Sequence, residues 1–279
     1  MNYEFLKKLI VPADSKIVML IMDGLGGLPR EPGGKTELET AFTPNLDALA
    51  ARSALGFSSP AGTGVAVGSG PGHLAIFGFD PIQNEIGRGA LEALGVDIDL
   101  RPEDVAARGN FCLVDKFGIL TDRRAGRLAT PEAIRLAKIL NTIKVQGVET
   151  YLEPIKEHRF AFVMRGEGLS PEIEDTDPLK DGVSPQVAKA KVDAAIHTAE
   201  LVNQYVNQAR DLLKEEESAN MILLRGFDRL PNLPQYSDLF KLRAAAIAVN
   251  GMYRGVSRLV GMQVLPVEGK SIEDEFSTL

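Results

Sequence analysis

Cysteine is all but absent from this sequence. Cys112 stands alone, which excludes an intramolecular disulfide and suits a reducing cytosol. It lies in the apolar run Asn110-Phe-Cys-Leu-Val and reads as a core atom rather than a catalytic thiol. Long hydrophobic runs are lacking as well. The stretch Phe5-Leu-Lys-Lys-Leu-Ile-Val-Pro is too short and too charged for a signal peptide or a membrane span, so a soluble, cytoplasmic protein is expected. Positive charge is in deficit: a formal charge of −7 argues against a nucleic-acid surface and leaves room only for a local basic pocket. Histidine is scarce, at three residues, and no repeat or low-complexity tract is visible. What is present is ordinary for a globular chain. With 44% hydrophobic and 25% charged residues there is enough apolar material to bury, and 279 residues suit two domains.

The apolar run Lys16-Ile-Val-Met-Leu-Ile-Met22 ends at Asp23 among glycines and reads as a strand buried on both faces of a parallel sheet. Thr43 followed by Pro44 marks a helix start. A glycine-rich segment, Gly62 to Gly72, leads into His73-Leu-Ala-Ile-Phe-Gly. From about residue 100 the texture changes. Thr130-Pro131-Glu132 predicts a helix to about Ile143, and Phe160-Ala-Phe-Val-Met predicts a strand. Ser184-Pro185 predicts a long helix to about Glu217, striped by Val192, Ala195, Ala199, Val202, Val206, Ala209 and Leu213. Met221-Ile-Leu-Leu-Arg predicts another strand. Ala244-Ala-Ala-Ile-Ala-Val returns to buried-strand texture, followed by a helix near Tyr253–Val260 and a strand at Gln263–Val267. The pattern is one α/β domain interrupted by an α/β insert. Ser271-Ile-Glu-Asp is a capping-box variant, and Ile272, Phe276 and Leu279 share one helical face. No stop signal follows, so a truncated chain is expected.

Asp23 stands where a strand is predicted to end, the usual place for ligands in open α/β sheets, and its carboxylate suits a hard metal. An Asx turn closing the strand is the plain alternative. Ser69, in Gly68-Ser69-Gly70-Pro71-Gly72-His73, precedes an apolar helix whose amides and dipole favour phosphate. A metal beside it would lower the hydroxyl's pKa and make it a nucleophile, whereas a simple N-cap serine is the alternative. His73 faces the same pocket or supports it. Against the acidic average stand Arg88, the cluster Arg123, Arg124 and Arg127, then His158-Arg159, and Arg225 at a strand end. Guanidinium groups clamp carboxylate and phosphate in two-point fashion, although single arginines are often just solvated. His197 reads as structural. Glu167, Asp175 and Asp177 suit an ordered, capped loop better than a cation site.

Taken together the motifs go further. Met22-Asp23-Gly24-Leu25-Gly26, Gly33-Gly34-Lys35-Thr36 and Thr43-Pro44-Asn45-Leu46-Asp47 resemble the opening of the alkaline phosphatase superfamily. Gly68-Ser69 through Asp80-Pro81, Gly87-Arg88 through Gly95, Asp122-Arg-Arg-Ala-Gly-Arg127 and Gly166-Glu-Gly-Leu-Ser170 are narrower. They resemble the archaeal-type branch of 2,3-bisphosphoglycerate-independent phosphoglycerate mutases, and the likeness continues through Met252–Met262.

The resemblance implies an alkaline-phosphatase-like sheet flanked by helices (residues 1–98 and 239–279) and an inserted substrate-binding lid (99–238), with the C-terminal part missing. It implies interconversion of 3- and 2-phosphoglycerate in glycolysis through a phosphoserine, without 2,3-bisphosphoglycerate and with two divalent cations, Mn²⁺ or Mg²⁺. Ser69 matches the nucleophile, and Asp23 with Ser69 matches part of one metal shell. Arg88, Arg123, Arg124, Arg127, His158, Arg159, Arg225 and Arg254 match substrate-binding positions, with His73 in support. The partner is then a small phosphoglycerate, not nucleic acid or a membrane, and homo-oligomerisation stays open. Family chains continue into a second Asp/His cluster, whereas no histidine here follows His197. The chain alone is therefore expected to be inactive and to bind divalent metal weakly. A non-catalytic phosphometabolite-binding relative and a phosphomonoesterase of the same superfamily are the alternatives.

Overall fold

The structure is a computed structural model that describes residues 3–279. The described residues divide into a unit formed by residues 3–10 with 60–279 and a unit formed by residues 11–59. The helices among the described residues, in order, are α1 (Tyr3–Leu9), α2 (Glu37–Thr40), α3 (Pro44–Ala50), α4 (Ser69–Ile76), α5 (Arg88–Gly95), α6 (Thr130–Leu140), α7 (Ile196–Leu213), α8 (Tyr236–Phe240), α9 (Gly251–Leu259) and α10 (Ile272–Thr278). The strands are β1 (Val105–Val114), β2 (Leu120–Asp122), β3 (Glu149–Lys156), β4 (Arg159–Arg165), β5 (Met221–Asp228), β6 (Ala245–Ala246) and β7 (Gln263–Val264).

The architecture is mixed α/β, organised around an antiparallel sheet. β1 is its spine: β4 pairs with residues 105–110 on one edge, β5 with residues 106–112 on the other, β2 with residues 113–114 at its end, and β3 lies outside β4. On one face α6 and α7 cover a core that includes Phe111, Phe160, Phe162, Leu136, Val202 and Tyr205. Cys112 belongs to this core, and burial holds its thiol well above the ordinary range. A second apolar layer, with Ala90 and Ala93 of α5 against Ala106, Ala161 and Val163, covers the other face. α5 approaches β1 very closely because Gly89 has no side chain: a Cβ there would lie 2.5 Å from the Ala106 carbonyl carbon and 2.6 Å from Ala107 Cα.

Helix termini follow the sequence chemistry. Pro44 opens α3 behind Thr43, and Ser271 with Asp274 forms the expected capping box on α10. Ile272, Phe276 and Leu279 are exposed. The predicted long helix is shorter than expected. Residues 184–191 run extended beside residues 172–176, with Gln186 N–H donating to the Thr176 carbonyl and Glu174 N–H to the Lys189 carbonyl. Asn203 of α7 hydrogen-bonds both the N–H and the carbonyl of Ala188 at 2.9 Å, which satisfies that backbone outside a helix. Val192 accordingly leaves the stripe and is exposed, while Ala199, Val202, Val206, Ala209 and Leu213 are buried as predicted.

The predicted strand over residues 244–249 narrows to β6, paired in parallel with β7. In the unit of residues 11–59, the run over residues 16–22 is not a strand: it forms no ladder among the described residues, and Ile17, Val18, Met19 and Leu20 are exposed. An apolar run becomes a strand only where a partner strand takes its backbone groups. α2 in this unit has a full capping box from Thr36 and Glu39.

Candidate active site

Ser69 is the first residue of α4, with Gly68 as the N-cap, so the serine sits inside the first turn rather than at the capping position. It is exposed. His73, one turn on, is buried; its Nδ1 lies 2.7 Å from the Ser69 carbonyl oxygen and its ring stacks on Tyr253 at 4.4 Å. Gly70 packs against Leu91 of α5 and Met252 of α9. The helix start that carries Ser69 is thereby seated on the helix that begins at Arg88.

The sheet gathers arginines beside that same helix. In the antiparallel register Arg108 of β1 stands opposite Arg225 of β5 and Ala161 of β4, while Asn110 stands opposite Arg159. With a side-chain period of two, Arg108, Arg159 and Arg225 share the face that α5 covers. Arg108 reaches Glu92 of α5 at 3.6 Å. Burial, then the charges of Arg225, Arg159 and Arg88, pull the Arg108 guanidinium down to about 10 against the opposing effect of Glu92, so it remains a cation at neutral pH. Burial and the neighbouring Arg88 and Arg123 likewise lower Arg225, against the pull of Asp177. The Nε atoms of Arg108, Arg159 and Arg225 are buried without a hydrogen-bond partner. Unpaired buried donors of one charge sign, on one face, are what an anion would satisfy.

Arg123 joins this group through Asp177, whose carboxylate it grips at 2.8 and 2.7 Å. Arg124 is exposed, its backbone N–H held by Asp122. His158 is buried, with Arg159, Arg108 and Arg124 as electrostatic neighbours. The structure thus brings together Arg88, Arg123, Arg124, Arg159, Arg225 and His158. It places two of the expected residues elsewhere. Arg127 is exposed in a 3₁₀ turn and has no side-chain tie to the group. Arg254 binds Asp97 at 2.6 Å, beyond the far end of α5 from Arg88. Arg108 was not singled out from sequence. The available signal was a lone charge inside the apolar run of Val105–Val114. Residues 166–169 of the Gly166–Ser170 motif line a separate cavity of about 360 Å³ with Glu103, Arg165 and Arg229.

Asp23 lies in the unit of residues 11–59, in a turn where Gly24 takes a positive φ of 82°. Its carboxylate and the Ser69 hydroxyl are hard oxygen donors suited to Mn²⁺ or Mg²⁺. No group of three or more His, Cys, Asp or Glu residues that could hold a metal occurs among the described residues. Asp23 and Ser69 belong to different units, and neither by itself amounts to a two-cation centre.

A family model described as 2,3-bisphosphoglycerate-independent phosphoglycerate mutase matches residues 50–219. A Thermosipho melanesiensis protein named "Probable 2,3-bisphosphoglycerate-independent phosphoglycerate mutase" is 46% identical over 278 residues, covering 99% of this chain and 68% of its own length. The chain belongs to this family. A Thermus thermophilus member of the same name is 50% identical over 270 residues, covering 96% of this chain and 66% of its own. The cofactor-independent phosphoglycerate mutase of Thermoplasma acidophilum matches in structure with a TM-score of 0.59 and 30% identity, over 71% of this chain and 56% of that one. The PH0037 protein of Pyrococcus horikoshii matches with a TM-score of 0.70 and 27% identity, over 88% of this chain and 60% of that one. The chain spans about two thirds of the length of the curated mutase relatives it matches. No helix among the described residues is long and apolar enough to cross a membrane.

Proposed function

We propose that this chain is the nucleophile-bearing and substrate-gripping part of a cytoplasmic, glycolytic mutase that interconverts 3-phosphoglycerate and 2-phosphoglycerate. Family membership gives the reaction class, and the observation that carries the assignment to particular residues is the arginine group beside α5. The Ser69 oxygen attacks phosphorus, the bond to the glycerate oxygen breaks, and the proton from serine ends on that oxygen. Glycerate turns within the site, and its other hydroxyl takes the phosphoryl group back by the reverse steps. Nothing is oxidised and no second phosphate donor enters, in keeping with independence from 2,3-bisphosphoglycerate.

Within this reading the six clustered arginines (Arg88, Arg108, Arg123, Arg124, Arg159 and Arg225) hold the carboxylate and phosphate, and His158 adds a neutral donor or acceptor. The amides opening α4 face the phosphoryl group on Ser69. Water must be kept from the phosphoserine, which is the work of a closing lid. Residues 99–238 fit that part, since they hold β1 to β5 and a core of their own. Residues 1–98 and 239–279 then belong to the alkaline-phosphatase-like portion. A divalent pair, when bound, would acidify the Ser69 hydroxyl. Asp23 and Ser69 alone are too few ligands to hold such a pair.

The test is mutase turnover of the full-length protein, coupled to enolase, beside isotopic labelling of Ser69 by phosphoglycerate. Labelling that persists in Ser69→Ala, or release of inorganic phosphate as the main product, would overturn the proposal.

A further inference from the structure

The acidic pair in Asp175-Thr176-Asp177 has no place in the chemistry above, yet it is built into the edge of the arginine group. Thr176 N–H donates to the Leu224 carbonyl at 2.8 Å, and Leu224 N–H donates to Thr176 Oγ1 at 2.7 Å. Two residues on, Gly226 N–H donates to Asp175 Oδ1 at 2.8 Å. The segment therefore grips β5 on both sides of Arg225. Asp177 itself is buried, with its side chain fully shielded from solvent. It accepts from Arg123 Nε and Nη2 at 2.8 and 2.7 Å and from Leu179 N–H at 2.9 Å, and it lies 3.8 Å from Arg225 Nε. Burial would raise this carboxyl, but Arg123 and then Leu179 N–H hold it below the ordinary carboxylate range.

We propose that Asp177 is a positioning residue for phosphoglycerate, acting through Arg123 and Arg225, whose guanidinium groups it holds side by side when no anion is present. The inference rests on the mutase reading above and adds to it. Arginines gathered at an anion site repel one another before the anion arrives and would splay toward solvent. One buried carboxylate between two of them removes part of that repulsion and fixes their planes. Arg123 spends its Nε and Nη2 edge on Asp177, which leaves its Nη1 side for a ligand. Arg225 is held only through charge at 3.8 Å, so its own donors stay available. Asparagine at 177 would lose the charge and present an amide N–H₂ to two cations.

The experiment measures kcat and KM for 3-phosphoglycerate in the full-length enzyme, for wild type, Asp177→Asn and Asp104→Asn. Asp104 is the matched control. It is equally buried and gripped by Arg165 at 2.8 and 2.7 Å, outside the arginine group. Both variants should lose stability, but only Asp177→Asn should raise KM, by about tenfold, the equivalent of one charge-assisted contact. In an Arg123→Gln, Arg225→Gln background the same substitution should raise KM less than twofold, because the groups it acts through are gone. Should Asp177→Asn not fold, Asp175→Asn loosens Gly226 behind Arg225 and should raise KM about two- to threefold, and an unchanged KM in that variant refutes the proposal. Equal KM changes in Asp177→Asn and Asp104→Asn, or full additivity with the arginine substitutions, also refute it. An inactive wild type that leaves 3-phosphoglycerate unbound in calorimetry would instead sink the mutase reading.

Discussion

His158 should remain neutral far below the pH at which an ordinary imidazole takes up a proton. It is 2% exposed, and its Nδ1 has no hydrogen-bond partner. Burial first, and Arg159 next, push its pKa from 6.5 down to about 4, against a weak upward pull from Glu157. The unfolded chain therefore binds a proton that the folded chain resists. Stability from neutral His158 is fully present above pH 6.5 and is lost as pH falls from there through about 4. The whole window corresponds to at most about 3 kcal/mol, of which about 2 kcal/mol should go between pH 7 and pH 5. With three histidines in the chain, the imidazole C2–H resonances can be assigned from single His→Gln variants and titrated directly. Urea unfolding at the two pH values then compares wild type with His158→Gln, which should lack this share of the acid loss. A His158 midpoint at or above pH 6, or the same acid loss in both proteins, would refute the reasoning. Saturating 3-phosphoglycerate should raise the midpoint, because its charge offsets that of the arginines around the ring.

Ser69→Ala in the full-length protein should leave less than a few per cent of mutase turnover while phosphoglycerate still binds, as calorimetry would show. Arg108→Gln should raise KM by roughly tenfold or more, since it removes a half-buried cation from the centre of the group, and unchanged kinetics would remove Arg108 from the site. Gly89→Ala should destabilise the fold by about 1–3 kcal/mol in denaturant, because the added methyl meets the β1 backbone and not a movable side chain. The same change should weaken phosphoglycerate binding by shifting Arg88, which begins the displaced helix.

Much of this was readable where local chemistry decides. Thr130-Pro131-Glu132 marked the start of α6, which ends at Leu140, a turn short of the expected Ile143, and the run around Phe160–Met164 specified β4. The sequence was misleading where a distant group decides. Residues 184–191 carry no strong bar to helix, and they run extended because Asn203 and the 172–176 segment satisfy their backbone. Residues 16–22 look like a buried strand by composition, but composition cannot supply a partner. The antiparallel sense of the sheet was also invisible in the strand patterns. Arg108 went unnoticed because a single charge among apolar residues reads as a strand interruption until Arg225 appears opposite it.

The arginine group shows how residues widely separated in sequence are brought together in a chain that is acidic overall. Arg108, Arg159 and Arg225 come from three strands, and only the register of β1 with β4 and β5 places them on one face. A shift of one residue in either pairing would turn a guanidinium into the apolar core. Such a slip is resisted on the β4 side by Phe160, which packs over Gly109, and on the β5 side by the Thr176–Leu224 hydrogen bonds. Concentrated positive charge is unfavourable when no anion is bound, and the fold limits it locally. Glu92, partly buried on α5, stands by Arg108, and the buried Asp177 stands by Arg123 and Arg225. On the proposed reading, full neutralisation would leave nothing for the anionic substrate. The unpaired Nε atoms of Arg108, Arg159 and Arg225 mark the remainder, a set of donors fixed by register that, on the proposed reading, the ligand completes.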